Sequence, residues 1–120
     1  MIDHVGFEVI DLERSGRFYD AVLYALGARR MFQTDHAVAY GVNGPHVWIV
    51  VRGRQPGSGY GHLALSANGK AAVDAAFAGG LDNGGTDDGP PGMRPQYGER
   101  CYAAYLRDPD GLRVEVVSRR

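Results

Sequence analysis

The chain has little of several features that mark specialised classes of protein. Cys101 is its only cysteine, which excludes an internal disulfide and a cysteine-rich zinc site. No stretch approaches the roughly eighteen apolar residues of a membrane span, and no secretory signal pattern opens the chain. The net charge of −1 gives no basic excess for binding nucleic acid or an acidic membrane surface. We therefore expect a reduced, cytoplasmic protein.

What remains is the composition of an ordinary globular chain. Hydrophobic residues make up 44% and charged residues 22% of the 120 positions. This length fits a single domain with one core, covering residues 1–120. Within it, a strand–helix–three-strand pattern occurs twice, in a first module at about 1–53 and a second at about 60–120. The fold class predicted from this duplication is α+β, built of two βαβββ modules.

The first module begins with alternating apolar residues and continues with helical spacing. Val5, Phe7 and Val9 share one face of a predicted strand. Asp11 is a candidate N-cap for a helix that Gly27 ends. Three further strands are predicted at Ala28–Phe32, Ala37–Val42 and His46–Arg52, and a linker loop at Gly53–Gly59.

The second module repeats this order. A strand is predicted at Gly61–Ser66, and helical spacing follows from Val73 to Leu81. Gly79 and Gly80 weaken that helix intrinsically, which suggests a need for close packing. The segment Thr86–Gly98 is predicted to be a long loop with at most a short strand. Two last strands, Tyr102–Arg107 and Leu112–Ser118, flank the turn Asp108–Gly111.

The duplication singles out three residues with metal-binding chemistry. His4 and His62 occupy equivalent positions, each facing away from the apolar side of its strand. Glu115 lies between Val114 and Val116, where a carboxylate is costly unless a positive group compensates it. Two imidazoles and one carboxylate predict a divalent metal site with open positions for a ligand. The alternative is that both histidines are hydrogen-bonded packing residues and that Glu115 faces solvent.

Three segments of the chain resemble the vicinal oxygen chelate superfamily, which includes glyoxalase I, extradiol dioxygenases, fosfomycin resistance enzymes and bleomycin resistance proteins. They are IDHVGFEVIDLERSGRFYDAVLYALGA, GHLALSA and DPDGLRVEVV. The resemblance implies two βαβββ modules forming a U-shaped mixed sheet around a divalent metal. It implies that His4, His62 and Glu115 are the metal ligands, without distinguishing Fe, Zn, Ni, Co or Mn.

The sequence departs from glyoxalase I at one position. That enzyme has a fourth ligand, a glutamate that is also its catalytic base, on the last strand of the first module. Aligning the two modules through their last strands places Ile49 there, opposite Glu115. Isoleucine neither coordinates a metal nor moves a proton, so a two-glutamate isomerisation is not expected. The remaining set is closer to that of the extradiol dioxygenases and fosfomycin enzymes.

The long loop and the strand after it supply candidate substrate-binding residues. Arg94 is expected to bind an anionic group, and Tyr97 to stack on the substrate or donate a hydrogen bond. Tyr102 and Tyr105 point to opposite faces of one strand, so only one of them can line a cavity. The predicted substrate-binding residues are thus Arg94, Tyr97, Tyr105 and Ile49, and the catalytic candidates are Glu115 and Tyr97. Alternatively, the tyrosines only pack the sheet.

The expected function is that of a metal-dependent enzyme of the glyoxalase (lyase) or dioxygenase class, acting on a small molecule that chelates the metal through vicinal oxygens. The alternative is a metal-free drug- or metabolite-binding protein of the bleomycin resistance type, or a small-molecule sensor that has the fold without turnover. The resemblance also implies a homodimer, in which His4 comes from one subunit and His62 from the other.

Overall fold

The structure, a computed structural model, describes residues 1–57 and 61–120. Part of the predicted linker, residues 58 and 59, lies outside the described residues. The first module contains β1 (Val5–Glu8), α1 (Leu12–Ala25), β2 (Arg29–Gln33), β3 (Ala37–Gly41) and β4 (Val47–Val50). The second contains β5 (His62–Ser66), α2 (Lys70–Asp82), β6 (Thr86–Met93), a short 3-10 helix (Pro95–Tyr97), β7 (Tyr102–Arg107) and β8 (Arg113–Ser118). The predicted α+β fold of two βαβββ modules is confirmed.

Each module forms its own mixed four-stranded sheet. The strand orders are β1-β4-β3-β2 and β5-β8-β7-β6. In both sheets the first strand pairs in parallel with the last strand of its module, and the remaining pairings are antiparallel. Strands β1 and β5 are therefore equivalent, and so are β4 and β8.

The two helices pack against each other and join the modules through one continuous core. Each sheet thus has an inner face against the helices and an outer face away from them. Gly80 lies where α2 crosses α1 and β7, and a Cβ at this position would come within 2.7 Å of Leu106 Cδ1 and 3.1 Å of Val22 Cγ2. The close packing expected around this glycine is therefore present.

The turn that the sequence predicts after β7 ties the second module to the start of α1. Asp108 is buried and accepts a hydrogen bond from the Tyr19 hydroxyl at 2.6 Å. Asp110 accepts hydrogen bonds from the Arg14 guanidinium, the Ser15 hydroxyl and the backbone N–H of Ile10. Asp11 caps α1 as predicted, accepting from the backbone N–H of Arg14 at 3.0 Å.

One element differs from the sequence prediction. The segment Thr86–Met93, expected to be mostly loop, is the eight-residue edge strand β6. Its register against β7 shifts twice, around Gly89 and before Gly92. Prolines are tolerated in an edge strand at such irregularities because some N–H groups are not needed there. Across residues 1–57 and 61–120, no helix is long and apolar enough to cross a membrane.

Candidate functional site

The outer face of the second sheet brings two of the three expected metal ligands together. His62 opens β5, and Glu115 lies at the centre of β8, the strand beside it. His62 Nε2 lies 3.2 Å from Glu115 Oε1. The Glu115 side chain is only 13% exposed, whereas that of His62 is 43% exposed. The alternation in β8 explains this position, since the flanking Val114 and Val116 are buried on the inner face.

The chemistry of this pair fits a divalent metal. A neutral imidazole nitrogen and a carboxylate oxygen are ligands that zinc, iron, nickel and related ions accept. Glu115 is a largely shielded carboxylate, and a shielded carboxylate needs a compensating positive charge. Arg113 and Arg119, which line the same cavity as His62 and Glu115, supply part of that charge. His62 adds to it only when it is protonated, whereas a bound cation would add to it with His62 neutral. Two of the three expected ligands thus lie side by side on one sheet face.

Tyr105 shares this face and Tyr102 does not. Tyr105 is the direct cross-strand neighbour of Glu115 between β7 and β8. Burial raises the pKa of Tyr105, and the negative charge of Glu115 adds to that effect, so the phenol stays protonated. Tyr102 points to the helix side, where its hydroxyl donates to Asp74 on α2 at 2.7 Å. Of the two candidates, Tyr105 is therefore the one that lines the face.

A cavity of about 330 Å³ opens over this surface. It is lined by His62, Tyr97, Tyr105, Arg113, Glu115 and Arg119. Sequence reasoning missed Arg113 and Arg119. Both lie an even number of residues from Glu115, and side chains alternate between the two faces of a strand. The alternation along β8 and the residues after it could therefore have identified them.

The loop residues chosen from sequence lie at the rim. Tyr97 ends the short 3-10 helix with 60% of its surface exposed, and its carbonyl accepts a hydrogen bond from Arg119 Nη1 at 3.2 Å. Arg94 is half-buried, with its guanidinium carbon 5.6 Å from the Tyr105 ring centroid. Tyr97 therefore borders the cavity that contains Glu115, whereas Arg94 lines the adjoining cavity beside Tyr105.

His4 lies on the other sheet. It directly precedes β1, its side chain is 56% exposed, and its Nδ1 lies 2.7 Å from Asp3 Oδ1. Its ring meets the ring of Trp48 edge-on, with 6.3 Å between centroids. Within residues 1–57 and 61–120, no group of three or more His, Cys, Asp or Glu side chains could hold a metal ion. A single chain thus does not bring His4 to His62 and Glu115.

The structure corrects the prediction that Ile49 lines the site. Ile49 has 0% exposure and faces the helices. The residue equivalent to Glu115 is Trp48, since Trp48 pairs with Gly6 as Glu115 pairs with Ala64. The alignment of the last strands was shifted by one residue, and a shift of one residue exchanges the two faces of a strand. Tryptophan, like isoleucine, does not coordinate a metal. The conclusion that this position lacks the fourth-ligand glutamate of glyoxalase I is therefore unchanged.

Trp48 is part of an aromatic surface that the sequence analysis also missed. Its ring lies 5.2 Å from that of Phe32, which is 46% exposed. The indole Nε1 donates to the carbonyl of Pro45 at 3.0 Å, which holds the ring in place. The outer face of the first sheet is thus apolar beside His4, whereas that of the second is polar around His62.

Comparison with known proteins places this arrangement in a family. The family model of the Glyoxalase/Bleomycin resistance protein/Dioxygenase superfamily matches residues 1–116. A glyoxalase/bleomycin resistance protein from Albidiferax ferrireducens T118 is 35% identical, with a TM-score of 0.86 over 98% of this chain and 97% of that one. No curated protein matches the chain.

More distant solved structures share the fold. The fosfomycin resistance protein FosX from Mesorhizobium loti is 22% identical, with a TM-score of 0.71 over 98% of this chain and 91% of that one. A glyoxalase I variant from Zea mays is 26% identical, with a TM-score of 0.70, and the match covers 97% of this chain and 45% of that protein. The chain therefore belongs to the glyoxalase/bleomycin resistance protein/dioxygenase superfamily.

Proposed function

We propose that this protein is a metal-dependent enzyme acting on a small molecule that binds the metal through two vicinal oxygens. The observation that carries the proposal is the contact between His62 and Glu115, 3.2 Å apart on one sheet face with the carboxylate largely shielded. Family membership supports it, because glyoxalase I and FosX, which share the fold, are both named for their activity on small molecules. When bound, a divalent ion would supply Lewis-acid or oxygen-activating chemistry.

The third ligand in this proposal is His4 of a second copy of the chain. His4 directly precedes the first strand of a different sheet from that of His62 and Glu115, and no three-ligand group forms among the described residues of one chain. The apolar surface of Phe32 and Trp48 beside His4 is unusual for a face left to solvent. A homodimer that sets the first sheet of each copy against the second sheet of the other would cover this surface and complete two sites.

The chain's own residues then have distinct tasks. Glu115 would hold the metal and is the first of the two catalytic candidates. Tyr105, kept protonated by its raised pKa, can donate a hydrogen bond to a substrate oxygen. Tyr97 lies at the exposed rim, where it can close over a bound molecule and serve as the second catalytic candidate. Ile49 has no such task because it lies in the core.

Elemental analysis of the untagged protein tests the proposal, with His62→Ala and Glu115→Gln beside the wild type. His36→Ala is the matched control, since His36 is an exposed histidine on the first module. We expect about one divalent ion per chain in the wild type and the control, and loss of the ion in both site variants. Iron would favour dioxygenase chemistry, whereas nickel, zinc, cobalt or manganese would favour isomerase, lyase or transferase chemistry.

Absence of metal after incubation with each of these ions would contradict the proposal. It would favour a metal-free binding protein, for which the aromatic face of Phe32 and Trp48 offers a stacking surface. In either case we propose a small-molecule ligand. We also propose a cytoplasmic location. Cys101 is the single cysteine and is buried, so the chain forms no internal disulfide, as is usual for proteins of a reducing compartment.

A further inference from the structure

Two arginines, Arg94 and Arg113, lie against the ring of Tyr105 beside the proposed metal site. The guanidinium carbon of Arg113 lies 4.1 Å from the centroid of the Tyr105 ring, and that of Arg94 lies 5.6 Å from it. Contact with an aromatic ring restricts the orientation of a guanidinium group. Tyr105 is the cross-strand neighbour of Glu115, and Arg113 lines the cavity that contains Glu115. Arg94 lines the adjoining cavity, which it shares with Arg113 and Tyr105.

The charges around this ring do not balance. Asp88 is the carboxylate that contacts Arg113, with Oδ2 at 2.9 Å from Nε, but it also lies 3.2 Å from the Nε of Arg107. One carboxylate is thus shared by two guanidinium groups. Arg94 has no carboxylate partner among the residues that the structure describes, and its Nη2 donates to the carbonyl of Pro90 at 2.6 Å. A positive excess therefore remains at the mouth of the site.

Arg94 has a second feature that indicates an absent partner. Its Nε is shielded from solvent, and in the described ranges no acceptor is within hydrogen-bonding reach of it. A shielded donor without an acceptor is uncommon in folded proteins, and Arg14 Nε is the other such atom among the described side chains. Arg94 differs in lining a cavity that has room for an added acceptor. A small rotation of the guanidinium toward a bound anion would satisfy it.

We infer that the substrate carries an oxyanion, a carboxylate or phosphonate, beside its two chelating oxygens, and that Arg94 and Arg113 bind this group. The inference rests on the proposed metal site and narrows its substrate class to anionic chelators. Arginine suits the role because its planar fork matches the paired oxygens of such groups.

Calorimetric titration with matched ligands tests this. The protein is loaded with Zn²⁺, which has no redox chemistry, and titrated without oxygen with catechol, 2,3-dihydroxybenzoate and 3,4-dihydroxybenzoate. All three present vicinal oxygens, and only the benzoates add a carboxylate. We expect the better benzoate to bind at least about tenfold more tightly than catechol, because a charge-assisted pair contributes that much.

Two variants and a control assign the effect to the arginines. Arg94→Gln and Arg113→Gln should each weaken benzoate binding far more than catechol binding, so that most of the benzoate preference is lost. Arg17→Gln, on the exposed face of α1, should keep both affinities. If the wild type binds catechol as tightly as both benzoates, or if the preference survives in both variants, the inference is wrong while the metal proposal stands. If the Zn²⁺-loaded protein binds no catechol, the proposed function fails and the inference fails with it.

Discussion

Replacing Asp110 by asparagine should destabilise the protein strongly, although Asp110 lies in a turn. Its side chain is only 6% exposed and accepts from a guanidinium, a hydroxyl and a backbone N–H, all at the start of α1. Breaking a fully buried ion pair costs about 3–5 kcal/mol. Arg14 is 39% exposed and regains water when the pair is lost, and asparagine keeps one acceptor oxygen, so we expect about 2 kcal/mol.

Urea denaturation at a fixed protein concentration measures this cost, since a dimer would make the midpoint depend on concentration. In thermal unfolding, the same loss corresponds to about 8 °C for a chain of this length. Arg17→Gln is the control, because the Arg17–Glu13 pair is exposed and separated by 3.5 Å. The control should cost less than about 0.5 kcal/mol. Equal effects of the two substitutions would refute the view that Asp110 ties the two modules together.

Three further predictions concern the core and the site. Gly80→Ala should lower the free energy of unfolding by about 1–2 kcal/mol, because the new Cβ would meet Leu106 at 2.7 Å. Gly79→Ala, the control, should be near neutral. Equal urea midpoints of the two variants would contradict this prediction. The pKa of Tyr19 is raised well above 10 by burial and Asp108, so above about pH 10 Tyr19 alone should contribute up to about 1.4 kcal/mol per pH unit to the fall in stability. Burial also raises the pKa of Tyr40, so the wild-type slope is steeper, and Tyr19→Phe should remove the Tyr19 share of it in urea titrations at pH 9–11. A Tyr19→Phe slope equal to that of the wild type would argue against this assignment. Glu115→Gln should lower Zn²⁺ affinity at least about tenfold in competition with a chelator, whereas Glu99→Gln, at an exposed position, should not; equal affinities would exclude Glu115 as a ligand.

The repeated pattern of the sequence was sufficient to predict the fold, because each module has its own alternation and helical spacing. It was not sufficient to predict the register of the first sheet, since the strand containing Trp48 and Ile49 is apolar at every position from Val47 to Val50. With no alternation to mark the faces, only the pairing of Trp48 with Gly6 shows which residue is equivalent to Glu115. Strand β6 was missed because its glycines and prolines are typical of loops.

Alternation of apolar and polar residues also made part of the candidate site predictable. Glu115 lies between two valines, and that alternation marks its face directly. Arg113 and Arg119 lie an even number of residues from Glu115, so the same alternation places them on its face. No pattern within one chain could show how His4 would reach His62, since in the proposed dimer that depends on how two copies meet.

Complementation between two variants that each lack one proposed metal ligand tests the central proposal, a site shared by two subunits, most directly. His4→Ala and His62→Ala are co-expressed with different tags, and the heterodimer is purified and its tightly bound metal counted. In a shared site, the heterodimer joins an intact His4 to an intact His62, so it should bind about one ion per dimer, whereas each variant alone binds none. A heterodimer that binds no metal, from a wild type that does, would contradict a shared site.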